Sequence, residues 1–215
     1  LPSLAASGEL KTKPTQHSVK QLLESGVQPD ILALRTEHKL TAGVKEKVAL
    51  FCNIAPEAVI QAIDASSIYD VPNLMKEEGL DKVVLDKLAL DHKEEPLLTA
   101  WNEVLGKIQQ PKNKVSIGLV GKYIELKDSY KSIAEAIIHA GASNETKVDI
   151  HWIHSEGVNN DNAAKKLAHL DGILVAPGFG ERGIEGKIAT IKYARENKVP
   201  FFGICLGMQA AVIEF

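Results

Sequence analysis

The sequence predicts an α/β protein whose C-terminal part is a doubly wound parallel sheet. Three observations carry this. From Val115 onward, short apolar strands alternate with helical segments, the rhythm of a parallel sheet with helices on both faces. Hydrophobic residues make up 45% and charged residues 25% of the 215 residues, the balance of a chain that buries a core. The chain shows no internal repeat and no low-complexity tract.

Taken in order, His17 to Ser25 places Val19, Leu22 and Leu23 at helical spacing, with Gly26 as the stop. Asp30 to Leu34 reads as a short buried strand, Val44 to Phe51 as a helix, and Val59 to Ile63 as strand or helix. From Val71 to Leu90 the segments are short, broken by Pro72 and Gly79. Glu94-Glu95-Pro96 opens a helix running to Ile108, with Pro96 at an early helical position. Gln110 to Lys114 is polar, carries Pro111 and separates two patterns, so a domain boundary is placed there. Then follow strand Val115–Val120, helix Ser129–Ala140 with Ile133, Ala136, Ile137 and Ala140 on one face, and strand Val148–Ile153. Helix Asn162–Leu170, strand Gly172–Ala176, helix Gly186–Asn197 and strand Phe201–Ile204 complete the series.

The 25 basic and 28 acidic residues leave a net charge of −3, which argues against a general nucleic-acid or membrane-surface binder. No apolar run reaches the roughly 18 residues of a membrane span. Two cysteines, Cys52 and Cys205, are too few for a disulfide scaffold and fit a reducing, cytoplasmic setting. The start at Leu1-Pro2-Ser3 and the apolar end at Val212-Ile213-Glu214-Phe215 are those expected of a stretch within a longer protein.

Phe201 to Gln209 is the sharpest feature. An apolar strand runs into Gly203-Ile204-Cys205-Leu206-Gly207, and a helix follows: the nucleophile-elbow pattern with Cys at the nucleophile position. A sharp strand-to-helix turn leaves no space for Cβ atoms beside the nucleophile. It puts Cys205 at the carboxyl end of a strand and at a helix N-terminus, where the dipole favours thiolate. The N–H of Leu206 would be one oxyanion donor. The competing reading is a buried structural cysteine, the one adopted for Cys52 among Leu50, Phe51 and Ile54.

A second glycine-rich stretch, Ala176-Pro177-Gly178-Phe179-Gly180-Glu181-Arg182-Gly183, follows another strand. Gly178, Gly180 and Gly183 spell G-x-G-x-x-G, so a dinucleotide-binding loop is weighed. Against it stand Pro177 at the strand end, a helix start delayed by Gly183 and Gly186, and no acidic residue closing the next strand. An oxyanion loop facing the thiolate is preferred, with a plain tight loop as the alternative.

The stretches APGFGERG and FFGICLGMQ resemble the class I glutamine amidotransferase domain, and Gly121 to Ile137 is similar to the start of that domain in the CTP synthase family. Glu9 to Val19, Lys47 to Asn53 and Ser67 to Pro72 match the family's synthetase domain in order. The resemblance covers essentially the whole chain. It implies that residues 1–92 are the end of an α/β nucleotide-binding synthetase domain, 93–113 a linker, and 114–215 the first half of the amidotransferase domain. It implies ATP-dependent amination of UTP to CTP with ammonia from glutamine, Mg2+ as cofactor, CTP as inhibitor, GTP as allosteric activator and a homotetramer. No nucleic acid and no membrane enter.

Residue by residue, the resemblance makes Cys205 the nucleophile that forms a glutamyl thioester. Gly178 would lie beside the bound glutamine, and Leu206, Gly207, Met208 and Gln209 would form the turn that cradles it. Lys11, Thr12, Lys13, Pro14, Thr15 and Gln16 would bind UTP or CTP together with Lys47, the lysines meeting phosphate and Pro14 fixing part of the loop between them. Ile63, Asp64 and Ala65 would contact ATP. Without the resemblance, Lys11-Thr12-Lys13 would read as a solvated surface loop. Ala176-Pro177-Gly178 departs from the Pro-Gly-Gly of many members. The family's His and Glu partners of the nucleophile match no pair here: His17, His38, His92, His139, His151, His154 and His169 all precede Cys205, and His154-Ser155-Glu156 reads as a strand end. The Mg2+ ligands and phosphate loop are likewise expected outside these residues. The alternatives are another class I glutamine amidotransferase and a regulatory or assembly module with an inert Cys205.

Overall fold

Glycine and proline punctuation sets the N-terminal elements, and packing decides their ends. The computed structural model describes residues 1, 3–4, 9–91 and 97–215. The chain divides into two units, Leu1–Thr99 and Ala100–Phe215. The helix start expected at Glu94 to Pro96, and the residue-92 edge of the expected linker, fall outside the described residues.

In the first unit, β1 (Ser3–Leu4) pairs antiparallel with β2 (Glu9–Leu10). Helix α1 (Lys13–Glu24) begins four residues before the expected start. Pro14 sits at its second position, where a missing N–H costs nothing and a fixed φ is already helical. Strand β3 (Leu32–Thr36) leads to α2 (Ala42–Cys52), which Asn53 ends in a left-handed conformation. The ambiguous Val59–Ile63 is strand β4, parallel to β3 with Leu32 opposite Val59. Pro72 does not break its segment; it lies in the first turn of α3 (Val71–Glu77), and Gly79 then separates α3 from α4 (Leu80–Lys87). Val19, Leu34, Leu40, Val48, Ala49, Cys52 and Val59 form the core. Glu78 ties the elements together: it pairs with Lys45 at 2.5 Å and accepts from Gln61 Nε2 at 2.6 Å. Burial alone would raise its pKa, but the bonds from Lys45 and Gln61 hold it below the ordinary value.

The second unit opens within the first turn of α5 (Thr99–Gln109). Strand β5 (Asn113–Gly121), helix α6 (Lys131–Ser143), strand β6 (Thr146–His154), helix α7 (Ala163–Leu167), strand β7 (Gly172–Val175), helix α8 (Ile184–Glu196), strand β8 (Phe201–Gly203) and helix α9 (Leu206–Glu214) follow. The sheet is parallel throughout, in the order β6-β5-β7-β8. Alternate residues feed two cores, as strand period two requires. Val120, Ile173 and Val175 pack with Leu167, Leu170, Ile191 and Ala194 on one face. Leu119, Leu174 and Ala176 pack with Tyr130, Ile133 and Ile137 on the other. This is the doubly wound α/β arrangement read from the alternation. Among the described residues no helix is long and apolar enough to cross a membrane.

Candidate active site

The site of interest lies at the carboxyl ends of β7 and β8, where a parallel sheet leaves its backbone groups open. Ile204 N–H donates to Val175 O at 3.1 Å, so the chain stays paired to the last residue before the cysteine. Cys205 then takes φ 51° and ψ −108°, a backbone state that L-residues avoid, and caps the N-terminus of α9. The thiol is exposed. Two close approaches force this turn. A Cβ on Gly203 would lie 2.6 Å from the backbone carbon of Gly207, and one on Gly207 would run into Val175 O. Both glycines of the G-x-C-x-G are therefore required by backbone contacts. Gly207 N–H is spent on Ile204 O at 2.9 Å, whereas the Leu206 N–H makes no backbone hydrogen bond among the described residues. Met208 and Gln209 are exposed beside it and Gly207 is buried.

Gly178 follows Ala176-Pro177 directly off β7, beside the elbow. Phe179 is 86% exposed, so the loop presents an uncovered aromatic ring. One expectation about this loop is overturned: α8 starts at Ile184, immediately after Gly183, and is not delayed to Gly186. Gly186 lies inside the helix because a Cβ there would strike Ser155 O. Pro177 and the absence of an acidic residue at the end of β8 still count against a dinucleotide loop. The His154-Ser155-Glu156 turn is a strand end, as expected, and it has a further role: Glu156 holds Arg182 at 2.7 Å, bracing the loop from the β6 side.

Lys122 and Lys187 escaped the sequence reading. Lys122 is 5% exposed and donates through Nζ to Phe179 O. Lys187 is 1% exposed and donates through Nζ to Ala176 O at 2.8 Å. Burial pushes the Lys187 ammonium below its ordinary pKa, the Lys122 charge pushes the same way, and Cys205 opposes both. The signal was present. Lys187 occupies the apolar stripe of α8 that continues through Ile191 and Ala194, and Lys122 follows an apolar strand without a break.

In the first unit, the expected nucleotide-binding residues sit on different elements. Lys11 and Thr12 precede α1; Lys13, Pro14, Thr15 and Gln16 form its first turn, so this segment is a helix start and not the expected loop. Gln16 Nε2 donates to Thr12 Oγ1 at 3.2 Å. Lys13 is exposed, as is Lys47 on α2, and α1 packs against α2. Ile63 ends β4, and Asp64 and Ala65 follow at the carboxyl end of that parallel strand. Asp64 pairs with Arg35 at 2.8 Å. Among the described residues no three His, Cys, Asp or Glu side chains gather as a metal site, so no Mg2+ ligand is assigned. Cys52 is fully buried, as expected, although its neighbours Leu50 and Phe51 face outward.

Two family models match the chain: CTP synthase N-terminus over residues 1–90 and class-I glutamine amidotransferase over residues 125–215. CTP synthase of Flavobacterium johnsoniae is 65% identical over 215 residues, all of this chain and 40% of that protein. The chain belongs to the CTP synthase family. CTP synthase of Methanocaldococcus jannaschii is 56% identical over 221 residues, again covering all of this chain and 41% of the relative. A solved chain described as the glutaminase domain of Trypanosoma brucei CTPS with bound acivicin is 44% identical, covering 46% of this chain and 39% of that one, at a TM-score of 0.43. The chain thus spans about 40% of the length of the curated CTP synthases it matches.

Proposed function

We propose that this chain is part of a CTP synthase that aminates UTP with ammonia released from glutamine at Cys205. The observation that carries the reading is the elbow: an exposed cysteine at φ 51°, at the N-terminus of a helix, between two glycines that backbone contacts require. Backbone strain at one residue persists where the surroundings over-determine it, and it aims the side chain out of the sheet. The Cys205 thiolate attacks the carboxamide carbon of glutamine. The unbonded Leu206 N–H and the Gly178 loop receive the oxyanion, ammonia leaves, and water cleaves the thioester. Gly207, Met208 and Gln209 complete the cradle.

In the same reading residues 1–92 close a synthetase domain, 93–113 link it, and 114–215 open the glutaminase. Lys11, Thr12, Lys13, Pro14, Thr15, Gln16 and Lys47 bind UTP or the inhibitor CTP, and their position at the start of α1 and on the neighbouring α2 supports this. Ile63, Asp64 and Ala65 contact ATP at a strand end. ATP activates the uracil oxygen, Mg2+ accompanies it through ligands elsewhere in the protein, GTP activates glutamine hydrolysis, and the enzyme works in the cytoplasm as a homotetramer.

The test is Cys205→Ala in a full-length protein carrying this sequence. Glutamine-dependent CTP formation is expected to vanish while formation from added ammonia persists, because the variant removes only the nucleophile. Near-normal glutamine-dependent synthesis would refute the assignment. Lys13→Ala is expected to weaken UTP binding by about 1.5–3 kcal/mol with glutamine hydrolysis retained.

A further inference from the structure

We infer that Lys122 and Lys187 are positioning residues for the Cys205 reaction, clamping the carbonyls that flank Gly178 and setting two unpaired ammonium charges beside the nascent anions. The inference rests on the reading of Cys205 as nucleophile.

The two lysines reach the same loop from different elements. Lys122 is the first residue after β5, and its backbone N–H is fixed by Tyr130 Oη at 3.2 Å. Lys187 lies in the first turns of α8. Their Nζ atoms hold Phe179 O and Ala176 O, one on each side of Gly178. A Cβ on Gly178 would meet Lys122 Cε at 3.4 Å and Lys187 Nζ at 3.6 Å, so both chains press against this glycine. With these two carbonyls committed to the lysines, the loop keeps its N–H groups available for an oxyanion.

The charges need an explanation of their own. Neither ammonium forms an ion pair among the described residues; each is bonded to a backbone carbonyl, and Lys122 Nζ also lies 5.3 Å from the centroid of the Tyr123 ring. Buried charge without a counter-ion is costly, and an apolar side chain of similar volume would fill the same space at no such cost. Position 187 lies in the apolar stripe of its helix, where methionine would pack. In the proposed reaction a negative charge arises at Cys205, first as thiolate and then as the oxyanion of the tetrahedral adduct. Both lysines bear on Gly178, just past β7, and β7 pairs with the strand that leads to Cys205. Two like charges held together disfavour each other until that anion forms, so the interaction is stronger in the transition state than at rest.

The experiment uses full-length protein with Lys187→Gln, Lys187→Met and Lys122→Met. Carboxymethylation of Cys205 by iodoacetamide is followed at a fixed pH by mass spectrometry, together with glutamine hydrolysis and thermal melting. Loss of a cation near the reacting sulfur is expected to slow alkylation of Cys205 at a fixed pH about tenfold in each variant. Glutaminase kcat is expected to fall at least about tenfold with KM within about twofold. Lys187→Gln keeps a donor for Ala176 O and drops the charge, so slower alkylation in this variant separates charge from latch. Lys187→Met is expected to melt no lower than wild type, as removal of an unpaired buried charge predicts. Wild-type alkylation rates in Lys187→Gln and Lys122→Met would overturn the inference, as would a lower-melting Lys187→Met with an unchanged rate, which describes a structural latch. A wild-type Cys205 no faster than a free thiol would instead overturn the nucleophile reading and this inference with it.

Discussion

Cys52 and Cys205 carry the same side chain at opposite ends of helices and in opposite surroundings. Cys52 is the last residue of α2, fully buried among Val19, Val48 and Val59. Cys205 caps the start of α9, exposed, with its backbone held at positive φ. Around Cys52 side chains fill the space, and burial raises its thiol pKa. Around Cys205 the close contacts are backbone on backbone, and the side chain is left exposed. What a cysteine does is set by whether its neighbours pack against the sulfur or against the chain that bears it.

The contrast can be broken most severely at Gly207. Its replacement by alanine drives a Cβ into Val175 O, a backbone atom that cannot step aside, and is expected to cost about 3 kcal/mol or more in urea unfolding. Gly180→Ala, where space is open but φ is 77°, is expected to cost only about 1 kcal/mol. Equal penalties would mean that the elbow is held by φ preference and not by contact. Next, iodoacetamide should label Cys205 at least about a hundredfold faster than Cys52 in the native protein, and both alike in denaturant. Comparable native rates would erase the distinction.

A smaller effect is expected at the buried site. Cys52→Ala leaves a void and should cost about 1–2 kcal/mol near neutral pH. Because the folded thiol has a raised pKa, its contribution is whole below the ordinary value of 9.0 and declines as pH rises toward the folded value. The penalty of Cys52→Ala should therefore shrink in melts above pH 9.0, and a constant penalty would remove the titration from the account. Smallest is Cys205→Gly, expected to raise stability by about 1 kcal/mol through relief of the positive φ while glutamine hydrolysis disappears. A loss of stability would show that the sulfur itself packs.

The sequence alone determined the alternation of β5 through α9, the elbow glycines, the burial of Cys52 and the family. Those are local signals: apolar periodicity, a G-x-C-x-G after a strand, and contiguous motifs whose residue types survive at matching positions. It read Val59–Ile63 only as strand or helix, since a five-residue apolar run satisfies both periods until β3 pairs with it. It started α1 too late, because His17 is the first residue of the apolar pattern while Pro14 begins the helix sterically. It placed α8 two residues late, because glycine is a poor helix former and the demand for Gly186 comes from Ser155, about thirty residues upstream. Tertiary structure alone decided which carbonyls Lys122 and Lys187 meet. The apolar runs around them mark both lysines for burial, but they do not name the backbone oxygen each ammonium will reach, for that contact exists only once the sheet has closed.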